Sequence, residues 1–173
     1  MLEAAIAIAA FIVIAIVLSR FFKHTTVEKL EPLAGEQTLF EEPKVWITLV
    51  SNMNEGHAAL PWGYVKVTDK RLIIGQGYRA RGGRQHQLTA IVHTNSEYQP
   101  GEAVGWAVLR ADVSRTEVTE KRVVIPVEHL DGAYPRTHQV AIKTAQPEAY
   151  REAFGLPEPE ADAPARPSPR TGS

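Results

Sequence analysis

Residues Ala4 to Leu18, AAIAIAAFIVIAIVL, form an unbroken run of fifteen apolar side chains near the start of the chain. An amphipathic helix of a water-soluble domain returns a polar residue every three or four positions, and this run returns none. As a helix it would extend only roughly 22 Å, short of the roughly 30 Å hydrocarbon core of a bilayer. The flanks supply the difference: counted from Met1 to Phe22 the segment reaches about 33 Å. The sequence therefore predicts a transmembrane anchor over residues 1–22, with Ala4, Phe11 and Leu18 along its lipid-facing length. Two alternatives compete. A cleaved signal peptide requires a basic n-region and a small-residue cleavage site, whereas Glu3 stands in that n-region and Ser19-Arg20-Phe21-Phe22-Lys23 follows. A buried core helix is the other, since apolar runs only slightly shorter commonly serve as one.

Lys and Arg are absent before the run, while Arg20 and Lys23 follow it directly. The positive-inside rule then places the N-terminus outside and the remainder in the cytoplasm, as a single-pass protein of the cell inner (plasma) membrane. The chain has no cysteine, which is compatible with either side.

Beyond the anchor, residues 23–34 read as a juxtamembrane linker, 35–155 as one small domain and 156–173 as a disordered tail. The tail carries Pro157, Pro159, Pro164, Pro167 and Pro169 among Ala, Glu, Arg and Ser, too few apolar groups to offset the entropy of ordering. Nineteen basic residues stand against twenty acidic ones, for a formal net charge of −1. That balance argues against a nucleic-acid partner, which selects for basic excess.

The domain reads mainly as strands. Val45 to Val50 is β-branched and aromatic, with Trp46 assigned to the core. Gly63 to Thr68 alternates, turns at Asp69-Lys70 and returns as Arg71 to Gly75, the clearest hairpin signal in the chain. Arg79 to Gln87 reads as a polar loop about Gly82-Gly83. Leu88 to His93 is a strand, as is Val104 to Leu109 with Trp106 in the core, and Val113 to Thr119 is a weaker one. Arg122 to Glu128 places Val123, Ile125 and Val127 on one face, with Pro126 marking an edge or bulge. His138 to Thr144 turns Val140 and Ile142 inward. The period then changes: Tyr150, Ala153 and Phe154 are spaced for a short helix, with Pro147 suited to its first turn and Gly155 to its end. These readings predict a mainly β (α+β) fold, a bent antiparallel sheet or partial barrel closed by a C-terminal helix.

Tyr64-Val65-Lys66-Val67-Thr68-Asp69-Lys70-Arg71-Leu72-Ile73-Ile74, with Gly35-Glu36 ahead of it and a helix after the last strand, resembles bacterial pleckstrin-homology-like and GRAM-type domains over roughly 33–155. The long polar stretch from Arg79 to Gly101 departs from that pattern, leaving open whether it is a loop or an extra hairpin. The resemblance implies a non-catalytic module that binds a lipid headgroup, a protein or a peptide beside a membrane. Phosphoinositide-binding relatives place Lys and Arg around the first inter-strand loop. Here that loop, Ser51 to Trp62, has none, which counts against a site of that type.

A second basic set, Lys70, Arg71, Arg79, Arg81 and Arg84, is the candidate lipid-binding group, because guanidinium pairs bind phosphate and Gly82-Gly83 permits close approach. A solvated turn and charged loop are the alternative. Trp62, between Pro61 and Gly63, is the candidate interface aromatic, or else packs within its loop. No motif for hydrolytic, nucleotide or metal chemistry is present: the six histidines lack ligand spacing, and no GxSxG or Walker loop occurs. The expectation is a membrane-anchored binding or scaffolding module with no cofactor and no catalytic or metal site. Its partners are the bilayer and a protein at the membrane, and an anionic-lipid sensor is the alternative. An enzyme or exported domain of unrecognised chemistry is the remaining class.

Overall fold

Alternation along Val45-Trp46-Ile47-Thr48-Leu49 decides the first long strand: Val45, Ile47 and Leu49 are buried, and the residues between them face outward. A computed structural model describes residues 26–51, 58–80, 83–95, 98, 106–132 and 136–158. Its strands are β1 (Thr38–Ser51), β2 (Ala58–Thr68), β3 (Arg71–Ala80), β4 (Gly83–His93), β5 (Ala107–Ala111), β6 (Glu117–Thr119), β7 (Arg122–Gly132) and β8 (Thr137–Lys143). One helix, α1 (Pro147–Ala153), follows, and single 3₁₀ turns occupy Val27–Lys29 and Val113–Arg115.

The eight strands form one sheet in the order β5-β4-β3-β2-β1-β8-β7-β6, and β7 also pairs with β5. That last pairing closes the sheet on itself, so the barrel is shut by backbone hydrogen bonds rather than by the helix. The β4–β5 pair is parallel, against the expectation of a wholly antiparallel sheet, and every other pair is antiparallel. β7 makes the closure possible by changing neighbours. Its first residues pair with β6 on one edge and its last with β5. Pro126 sits between these two sets, where no N–H donor is needed, and its carbonyl accepts from the Asp112 N–H at 2.8 Å.

Val45, Val65, Leu72, Val92, Leu109, Ile125 and Ile142 belong to one buried cluster drawn from seven strands, which Tyr150 of α1 joins. Tyr150 is fully buried, and its hydroxyl donates to Glu42 Oε2 at 2.9 Å. The same buried carboxyl group accepts from Thr144 Oγ1 and from the Ala145 N–H, so the helix is fastened to β1 by a satisfied polar knot. Burial, and then the charge of Glu42, push the Tyr150 hydroxyl far above the ordinary tyrosine range.

A second cluster lies apart from the first: Val27, Tyr64, Ile73, Leu88, Ile91, Trp106 and Val108. Val27 and Leu30 bring part of the expected juxtamembrane linker, residues 23–34, onto this cluster. Thr26 forms a β-bridge with Gln87, and Val27 packs against Gly75, where a Cβ would stand 2.7 Å from Val27 Cγ2. The strap from Thr26 to Gln37 thus belongs to the folded body. Three further corrections concern strands. Arg79 to Gln87 is not a loop but the two arms of the β3–β4 hairpin, with Arg79 opposite Arg84. Pro61-Trp62-Gly63 lies within β2 rather than in the preceding loop, and Val113 to Thr119 divides into a helical turn and the short β6. Among the described residues no helix is long and apolar enough to cross a membrane. The anchor over residues 1–22, with Ala4, Phe11 and Leu18, lies outside them, as does the tail beyond Glu158.

Candidate functional site

Two strand bulges build the site. Between Pro43↔Tyr64 and Val45↔Gly63 the first strand carries one extra residue, Lys44, and between Val45↔Gly63 and Ile47↔Leu60 the second carries one extra in turn. Lys44 adopts φ +63° and Trp62 φ +62°, the only two non-glycine residues with positive φ among those described. Each such conformation costs about 1–2 kcal/mol in a residue with a Cβ, and strain of this kind collects at functional surfaces.

Exposed aromatic side chains stand beside these bulges. Four large hydrophobic side chains are exposed among the described residues: Leu39, Trp46, Trp62 and Tyr78. Three of them lie on the successive strands β1, β2 and β3 at one level of the sheet, since Trp46 falls between the Val45↔Gly63 and Ile47↔Leu60 pairs and the Trp62 carbonyl lies against Gly77. Trp62 is the most exposed, at 64%. Tyr78 donates to Gln85 Oε1 at 2.8 Å, which fixes its ring on the hairpin.

Cations flank the row. Lys143, opposite Trp46 in the β1–β8 register, holds its Nζ 5.9 Å from the centre of that indole. Lys44 and Arg84 line the open groove that also contains Pro43, Trp62, Tyr78 and His86, and among the described residues no acidic side chain lines it. Neither Lys44 nor Arg84 has an ion-pair partner among the described residues. His86 stacks on Tyr64 with ring centres 4.2 Å apart, and its Nδ1 lies 2.8 Å from Glu28 of the strap. Burial raises the Glu28 carboxyl, but hydrogen bonds from the backbone and from His86 outweigh it and hold it below 4.5. Burial, and then the adjacent Glu41, raise the Tyr64 hydroxyl well above its usual range.

The five cations singled out in the sequence do not form one group. Arg71 is buried, and its guanidinium grips Glu36 through two hydrogen bonds of 2.8 and 2.9 Å. Glu36 also accepts from Thr68 Oγ1 and from the Leu33 N–H. Burial raises that carboxyl, but these donors, Arg71 foremost, bring it below its ordinary 4.5. Lys70 holds the Ala34 carbonyl. Both residues therefore clasp the strap rather than face a ligand. They sit at the far end of β3 from Arg79, roughly 26 Å away at the strand rise. Of the remaining three, Arg84 lines the groove, Arg79 is placed by its backbone opposite Arg84, and Arg81 lies outside the described residues.

Trp62, the candidate interface aromatic, is exposed in the row, while Trp46, expected in the core, joins it there. Period-two alternation carried the signal, because Trp46 stands out of phase with Val45, Ile47 and Leu49. Trp106 is buried, as expected.

A larger groove, near Arg110, Arg122 and Glu128, is lined among the described residues by three arginines and three carboxylates. Its Arg110–Glu128 and Asp112–Arg115 pairs, at 3.1 and 3.8 Å, neutralise it internally. Among the described residues no group of three or more His, Asp or Glu side chains is arranged to hold a metal ion. Comparison with protein-family models, with curated proteins and with solved structures finds no match for this chain.

Proposed function

We propose that this protein is a membrane-anchored, non-catalytic binding module, a PH-like β domain carried on the cytoplasmic face of the inner membrane, whose working surface is the Trp46–Trp62–Tyr78 row. One observation supports the reading: Thr26, the first described residue of the strap, bridges Gln87 and so stands beside His86 of the groove. With the anchor ending at Phe22, the four Cα steps to Thr26 span at most about 14 Å. The bilayer surface and the aromatic row are then neighbours. The β1–β4 meander and the terminal helix support the PH-like relation, and the parallel β4–β5 pair is a departure from it. Tethering raises the effective concentration of such a face toward anything at the membrane.

The full chain with a photoreactive phenylalanine at Tyr78, or in a second sample at Ser114 on the Arg110 groove, tests this in native membranes. Carbonate-resistant sedimentation with crosslinks from Tyr78 and few from Ser114 is the expected result. A chain that stays in the supernatant, or crosslinks only from Ser114, overturns the reading.

A further inference from the structure

Aromatic rings set among unpaired cations meet the chemical demands of one surface in particular. Indole and phenol rings partition to the headgroup level of a bilayer, where an apolar body and a polar edge are both satisfied. Lys and Arg beside them gain from the negative potential of the cytoplasmic leaflet. Here the row Trp46, Trp62 and Tyr78 is flanked by Lys143, Lys44 and Arg84, with no carboxylate among the described residues lining the groove. We propose that this row lies flat on the anionic lipid surface of the same bilayer that holds the anchor, with Trp62 as its deepest side chain. The occupant is the lipid surface rather than a protein because Thr26, held on Gln87 next to the groove, is only four residues from the expected end of the anchor, at most about 14 Å of chain and too little for a partner domain to fit between. An acidic protein would match the charges equally well, but it would need that space.

The inference rests on the membrane-anchored reading, and a single experiment separates their failures. The full chain is reconstituted into phosphatidylcholine vesicles with and without phosphatidylglycerol, each containing a lipid with a nitroxide at the headgroup, and tryptophan quenching is read after flotation. Buried Trp106 serves as the internal reference. In vesicles containing phosphatidylglycerol strong quenching is expected that disappears in the Trp46→Phe/Trp62→Phe variant, and it should fall when salt is raised. Lys44→Gln and Arg84→Gln should each shift the ratio of docked to undocked protein about fivefold toward the undocked state. The salt titration reads the same contact on the unmodified chain, should either variant fold poorly. Co-flotation without quenching, or quenching equal in both lipids, overturns the lipid surface as occupant and leaves the anchored reading standing. Absence of co-flotation overturns both.

Discussion

Lys44 and Trp62 hold backbone conformations that glycine adopts freely and that a residue with a Cβ adopts only under constraint. Replacing Lys44 by glycine removes about 1–2 kcal/mol of strain against about 0.5–1 kcal/mol of added unfolded-state entropy. Lys44→Gly is therefore expected to raise stability by about 0.5–1 kcal/mol, read as a higher urea midpoint, while weakening lipid contact through the lost charge. A lower midpoint would show that the Lys44 side chain contributes more than its backbone costs. Glu36 makes a second prediction. Its folded carboxyl ionises below the ordinary 4.5, so its contribution is whole above that value and drains away as pH falls through the folded one. Between about pH 6 and pH 3 the melting temperature of Glu36→Gln should fall less than that of the parent, from a lower starting point, because Arg71 is left buried without its carboxylate. Parallel curves for the two proteins would mean that Glu36 gains nothing from its charge.

Among the elements, the strap decides how the barrel is presented. Its apolar contribution is small, with Val27 buried and Leu30 half-buried in the second cluster, and its hold comes from Glu36–Arg71, Lys70–Ala34 and Glu28–His86. Gly75 leaves the hollow that Val27 fills. Gly75→Val is expected to displace the strap while leaving the inner core intact, seen as faster trypsin cleavage after Lys29 with little loss of β signal in circular dichroism. Unchanged cleavage would detach the strap's order from that contact. This element was hidden in the sequence because its contacts are long-range and polar: Glu36 and Arg71 are 35 residues apart, and no local period announces such a pair. The β2–β3 hairpin and α1 were legible because alternation, turn residues and helix spacing are local signals. Closure of the sheet was not, since it depends on β7 exchanging β6 for β5 midway, a choice made by the whole barrel. The polar arms of the β3–β4 hairpin read as loop for a related reason. Arg79, Arg84, Gln85, His86 and Gln87 are polar on both faces of the ribbon and carry no apolar alternation. In the site, Trp62 and Arg84 were visible as residue types, whereas their conjunction with Lys44 and Trp46 depends on two bulges that only the paired strands reveal.

For the whole molecule, the membrane-anchored reading proposed above makes the short connection between anchor and barrel the part that couples them. A strap clasped to β3 and β4 transmits orientation, because only residues 23–25 separate it from the expected end of the anchor. In the proposed docking, three rings and a few charges would supply only modest lipid affinity by themselves, so docking would depend on the row being held near the surface. Inserting twelve Gly/Ser residues after His24 gives a flexible tether with an end-to-end distance of about 19 Å and frees the barrel to turn. The expected outcome in vesicles containing phosphatidylglycerol is unchanged co-flotation with headgroup quenching of Trp46 and Trp62 reduced about threefold or more, as the local concentration of the row falls and its orientation randomises. An equally long run placed after Glu158 should leave quenching as it was, since that end of the fold follows α1 and plays no part in presenting the row. If the insertion after His24 leaves quenching at the level of the parent, the rings find the surface without help from the strap. The anchor would then set only the membrane on which the barrel works, and not the face it turns toward it.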